Sequence, residues 1–427
     1  MRETTERYLT ARSTLAPELA RSAFDWSGYT REEAVRELER IVDGRELPFL
    51  IWRAGDWVPQ VRVPATAAVL SRLTMSGYLP HFVNALPVLA RLDVLSRVDM
   101  SNLTSAVRYH LLAEAGRLAL ISGLDSDDMD IRREVCRVLD KAAEVEPSAV
   151  EVASRNADSV VRRFVIRWET KLRRVDPGMA MSIRRRMLTD SAPQIRSAAL
   201  RAMNDAEPEQ AADHLKSALD DPSATVRMTA RHHLRGSVDF ADYYREMVDG
   251  VRPPIGAIAG LGETGNAGDF DRVARHLGGS SRQGRAVLKA MAYLDPGRVR
   301  VMCFEALIDP RTAVARAALG LLGFRIHEAD VIAELWSRGP VNARVLGLAT
   351  LRLTPWRALE VLLVALDTYP SRVTEVLRQW RSSTNQLYAP TPPSTEVRER
   401  LQGLIDAVKT PVPPEIAKRI TAALAST

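Results

Sequence analysis

Cysteine is almost missing from this chain: 427 residues carry only Cys136 and Cys303, far apart. That leaves no disulfide framework and no cysteine metal site to expect. Aromatic residues are few, at 6%, so a core must be built mainly from aliphatic side chains. No stretch approaches the eighteen or so unbroken apolar residues of a membrane span. The opening residues Met1 to Arg7 lack the basic-then-apolar plan of a signal peptide. A soluble protein of the cytoplasm is the expectation. Catalytic signatures are missing as well. The seven histidines form no H-E-x-x-H, and the adjacent His232 and His233 would point about 100° apart on a helix. No G-x-S-x-G elbow and no phosphate-cradling P-loop is present. The expectation is a protein without metal or cofactor that works by binding and not by catalysis.

What the chain has is apolar content of 46%, charged content of 26% and a net charge of +6. This composition suits a folded, soluble chain. Its length exceeds what one compact core usually holds. A short recurring phrase explains how that length is used. An Asp is followed within a few residues by a β-branched residue, an Arg, and then small apolar residues. The phrase ends at Ile131-Arg132, Val161-Arg162, Ile195-Arg196 and Val226-Arg227, so its arginines lie 30, 34 and 31 positions apart. A fixed internal period of this size marks a repeat array, in which each unit packs only on its neighbours. Later arginines, Arg285, Arg316, Arg344 and Arg372, keep the period while the phrase weakens.

Apolar spacing predicts helices throughout. A capping box over Thr30–Glu33 opens one that runs to about Asp43. Pro59 and Pro64 place a helix start near Val63. Leu86–Leu95 and Val107–Ile121 read as helices, and each unit from Asp127 onward reads as a helix pair. The stretch Ser382–Ser394, with Pro390, Pro392 and Pro393, reads as a loop, followed by helices over about 396–408 and 414–424. Three regions result: an irregular N-terminal cap over 1–125, regular repeats over 126–381, and a loop with capping helices over 382–427.

The phrase, together with Ile255-Gly-Ala-Ile-Ala-Gly-Leu-Gly-Glu-Thr-Gly265 and Phe270–Leu277, resembles the short HEAT-like repeats of the PBS-lyase type. The resemblance implies an all-α fold, a right-handed α-solenoid of stacked helix pairs. It also implies that Arg132, Arg162, Arg196, Arg227 and Arg316 form a structural ladder, bonding the Asp of their own or a neighbouring unit. The family includes scaffolds, cofactor-handling lyases and, more distantly, DNA glycosylases. Gly260, Gly262 and Gly265 fit G-x-G-x-x-G, but they lack the preceding strand that a dinucleotide site needs, so they read as a helix stop and a turn.

The strongest candidate surface is basic. Residues 155–201 hold 12 Lys or Arg against 4 Asp or Glu, a net +8. Arg163, Arg167, Lys171 and Arg174 fall at helical spacing on one face. Arg184, Arg185 and Arg186 belong to the next helix. Such a stripe can meet an acidic protein or neutralise phosphates; it can also be a solvated outer face. Trp168 and Glu169 sit beside it, an aromatic–acidic pair reminiscent in composition of glycosylase surfaces, though Trp168 reads more simply as core packing. The leading expectation is a scaffold that binds a macromolecule, most simply a protein, on its concave face. The alternatives are a nucleic-acid-binding module, possibly glycosylase-like, and a PBS-lyase-type cofactor-handling protein.

Overall fold

A computed structural model describes residues 2–12, 14–95, 98–339, 342–385 and 393–425. Pro340, Pro390 and Pro392 lie outside the described residues. The described residues are helical throughout, with no strand among them. The chain forms two compact units, Met1–Ala211 and Ala212–Thr427. In each, helices pack both on the helix that follows and on the one after it. This makes two rows of helices around one apolar seam, the arrangement of an all-α solenoid.

In the first unit one row consists of Gly28–Glu39, Pro59–Leu73, Ser101–Leu112, Met129–Asp140, Ser159–Leu172 and Pro193–Ala206. The other consists of Leu47–Ala54, Leu79–Leu95, Glu114–Gly123, Pro147–Arg155 and Pro177–Leu188. The seam is aliphatic as composition requires: Val35, Leu50, Val61, Val135, Val150, Val165 and Ile183 are buried. The second unit repeats the plan from Ala224–His233 to Pro414–Ala425.

Several boundaries differ from the sequence reading, each for a local reason. The helix expected from Thr30 starts at Gly28 and ends at Glu39, because Ser27 supplies the cap through its hydroxyl. Pro64 lies inside a helix that starts at Pro59, the first-turn position where a missing N–H costs nothing. Pro87 likewise lies inside Leu79–Leu95. The single helix expected over 107–121 is two, broken at Ala113, whose backbone is extended. Residues 382–385, expected in a loop, extend Pro370–Asn385. Gly260 and Gly262 are not a helix stop: they lie within Ile255–Thr264, where a Cβ at Gly260 would meet the Tyr244 ring at 2.3 Å and one at Gly262 the Ala290 Cα at 2.6 Å. Close helix packing is what these two glycines provide.

The repeated arginine has one geometric job. Arg31, Arg62, Arg132, Arg162, Arg196 and Arg227 are each the fourth residue of their helix. Each Nη1 donates to the carbonyl six residues back, and all but Arg227 also reach the one five back. The guanidinium thus clamps the turn that precedes its own helix. Its remaining nitrogens can reach onward. Arg31 binds Asp56 at 2.8 and 3.1 Å, and Arg162 binds Asp190 at 2.7 and 2.9 Å.

Arg316 departs from the pattern. It is the fifth residue of Thr312–Leu321, about 100° round the helix from the ladder position, and is exposed. Ala315 occupies the fourth position. Gly284 occupies it in Ser281–Leu294, the helix before it in the same row, and there Arg311 reaches back from the next repeat. Its Nη1 donates to Leu277 O at 2.9 Å and to Gly279 O, while Asp309 holds its other nitrogens. A Cβ at Gly284 would stand 3.3 Å from that nitrogen.

Candidate functional site

Two adjoining cavities of about 630 and 400 Å³ form a cleft in the first unit. They share Ala90, Glu134 and Arg137 as a common wall. The groove exists because Leu79–Leu95 departs from strict row packing: it rests on Met129–Asp140 as well as on Glu114–Gly123. Leu86, Leu89, Val138 and Phe164 line the larger cavity. Around them stand Arg91, Arg108, Arg133, Arg137, Lys141 and Arg167, against Asp130, Glu134 and Asp140. Six cations against three carboxylates leave the lining at +3.

Most of these charges are tied. Arg137 pairs with Glu134 one turn earlier. Arg91 meets Asp130 at 3.5 Å and lies over the Tyr8 ring at the same distance. Arg133 donates to Asp158 at 2.8 Å. Arg167 holds Asp140 at 3.1 and 2.7 Å and stacks over Phe164 at 4.7 Å. The Lys141 ammonium is exposed and has no hydrogen bond or ion pair among the described residues. Glu134 is the unusual carboxylate. Burial pushes its pKa up; Arg137 and Arg108 pull it down only in part, and Asp130 opposes them. Its side chain is only 16% exposed.

The basic residues singled out from sequence are distributed by this geometry. Arg163, Arg167 and Lys171 do share a face of Ser159–Leu172, and Arg174 follows after the helix ends. Arg167 is on the groove wall. Lys171 donates to the carbonyls of Asp140 and Ala142 at 2.9 and 2.6 Å, closing the C-terminus of the preceding helix of the row. Arg163, Arg174 and Arg185 are exposed and have no side-chain partner among the described residues. Arg184 is buried, 7% exposed, between Glu169 at 2.7 Å and Glu207 at 2.9 Å. Arg186 holds Glu151 at 3.2 Å. Trp168 is fully buried and donates to Asp140 at 3.1 Å, and Glu169 is 4% exposed, so neither is available at a surface.

The sequence reading missed half of the groove, although a signal for it exists. Arg133, Arg137 and Lys141 fall at i, i+4 and i+8, and they occupy the same helical positions as Arg163, Arg167 and Lys171 in the next helix of the row. The stripe is itself a repeated feature. Among the described residues, no cluster of three His, Cys, Asp or Glu is placed to hold a metal ion. No described helix is long and apolar enough to cross a membrane. Both thiols are buried, and burial pushes Cys136 up to about 12 and Cys303 to about 11.

Residues 146–235 match the family model for HEAT repeats. That segment contains the ladder residues Arg162, Arg196 and Arg227. No curated protein matches it. Among solved structures, an engineered protein is 16% identical over 92% of this chain and 98% of its own, with a TM-score of 0.22. Kap95p, in a structure describing its binding to RanGDP, is 10% identical over 99% of this chain and 69% of its own, with a TM-score of 0.31. Kap121p is 14% identical over 92% and 49%, with a TM-score of 0.28. Likenesses this distant have no bearing on partner or activity.

Proposed function

We propose that the protein is a non-catalytic scaffold that holds a partner protein in the groove between Leu79–Leu95 and Met129–Asp140. The observation that carries this reading is the groove's composition: an apolar floor inside a net cationic rim, a pattern suited to recognising a macromolecule. The repeat stack supplies a frame for it, because the helix starts of Met129–Asp140 and Ser159–Leu172 are both capped and clamped. Arg132 clamps one and Arg162 the next. Ala90 lies in the wall common to both cavities. Replacing it with Trp fills the groove without touching a charge. Pull-down from the native host should recover a protein with the wild-type chain and lose it with Ala90→Trp. Retention of every co-purifying protein by the variant would contradict the reading.

Nucleic acid is the second reading, carried by the unpartnered Arg163, Arg174 and Arg185. Phosphate neutralisation makes affinity fall steeply with salt. Duplex DNA retained at low salt and lost on Arg163→Glu would favour it; no retention at low salt would remove it.

A further inference from the structure

We propose that the occupant of the groove is an acidic amphipathic α-helix, which seats apolar side chains on Leu86, Leu89 and Val138 and sets a carboxylate against Lys141. This rests on the docking reading above and adds the chemistry of the partner.

Four observations select that occupant. The groove is built between helices and is continued by a second cavity through the Ala90–Glu134–Arg137 wall, so it is elongated. A helix laid in such a groove presents apolar anchors on one face at three- and four-residue spacing. The described residues offer no strand edge, so an extended peptide would leave its backbone groups without the ladder that strand addition supplies. A helix satisfies its own backbone. The excess charge of the lining is positive, so the complementary rim is acidic. Lys141 is exposed and without a partner at that rim.

The same observations disfavour a phosphate backbone. Arg91, Arg133, Arg137 and Arg167 already face protein carboxylates. Phosphates would have to displace those pairs and would leave the apolar floor unfilled. Phe164, an aromatic ring at the groove, has one face covered by the Arg167 guanidinium, which removes that face as a stacking platform.

The test is a peptide-display selection on the full-length chain, followed by fluorescence anisotropy with the enriched peptides and, separately, with a labelled DNA duplex. The expected result is enrichment of acidic sequences with apolar residues at helical spacing. Their affinity should fall about tenfold or more on Ala90→Trp and about tenfold on Lys141→Glu, and a proline placed mid-peptide should abolish binding. Circular dichroism of both variants should match the wild type, so that loss of binding is not loss of fold. Enriched peptides that are sensitive to Ala90→Trp but basic, or without helical spacing, would overturn this inference and leave the docking reading standing. Peptides indifferent to Ala90→Trp, or no enrichment, would overturn both. Duplex binding that Lys141→Glu abolishes, without peptide enrichment, would replace the protein partner with nucleic acid.

Discussion

Arg162 joins two repeats through one guanidinium: its Nε and Nη2 donate to the Asp190 carboxylate of the next unit at 2.7 and 2.9 Å, and its Nη1 holds the carbonyls of Asn156 and Ala157 at 2.7 and 3.0 Å. Arginine suits this position because its planar fork serves two acceptor groups at once, and lysine would not. Asp190 in turn accepts from the Ala192 backbone N–H at 2.7 Å, so it organises the turn before its own helix. Between these two repeats, the Asp and the Arg of the phrase are two ends of one joint.

Arg162→Ala should therefore destabilise the protein by about 2–4 kcal/mol, because a nearly buried carboxylate and two carbonyls lose their donor. Arg316→Ala should stay within about 0.5 kcal/mol, as expected for an exposed site without such contacts. Urea unfolding of the two variants checks the contrast, and equal losses would mean that position in the helix is not what matters.

Gly284 and Arg311 should behave as a coupled pair. Arg311→Ala strips the donor from Leu277 and Gly279 and should cost about 1–3 kcal/mol. Gly284→Ala places a methyl 2.9 Å from Val314 Cγ2 and should also destabilise. Thermal melts of both single variants and the double variant should show a non-additive loss, because the two sites share one space.

Acid should loosen the first-unit joints in a defined window. Burial alone would raise Asp56, Asp158 and Asp190, but Arg31, Arg133 and Arg162, together with backbone N–H groups, more than offset it and hold all three below the usual carboxylate range. In the second unit the hydrogen bonds from Arg300 hold Glu328 down to about 2. Groups with a depressed folded pKa bind protons more readily when unfolded. Their stabilisation is thus complete above about pH 5 and is lost as pH falls through the unfolded and then the folded values. Stability measured from pH 7 to pH 2 should be flat in this contribution until about pH 5 and fall below it; Asp190→Asn should shrink the fall.

Glu134 has the opposite sign. Burial raises its pKa, so the folded chain takes up the proton at higher pH than the unfolded chain, and the ionised form costs stability at neutral pH. Glu134→Gln should raise the melting temperature at pH 7, with the advantage shrinking as the pH is lowered through the raised pKa. A lower melting temperature at pH 7 would show that the Arg137 pair outweighs burial.

The period and the helical class were legible because each rests on local chemistry: a β-branched residue turned inward, then an arginine one position further round. The bonding expected of those arginines was not: Arg162 meets an Asp carboxylate, but Arg132 bonds backbone carbonyls and Arg227 pairs with Glu263. Arg316 was misassigned because period alone does not fix phase; one inserted residue turns a side chain by about 100°. The groove was only partly legible. Arg167 was picked out by charge, but its wall partners come from Leu79–Leu95, whose departure from the row depends on packing between distant residues. Arg184 shows the converse. In sequence it belongs to a basic run, while in the fold Glu169 and Glu207, 15 and 23 positions away, enclose it.

The docking claim is most directly tested by site-specific photocrosslinking in the native host, with a benzophenone side chain at Ala90 in the groove and, as the comparison, at the exposed Leu118 on Glu114–Gly123. The account predicts a discrete protein adduct from position 90 alone, mapping to an acidic helical segment of the partner. Identical adducts from both positions, or a nucleic-acid adduct at position 90, would contradict it.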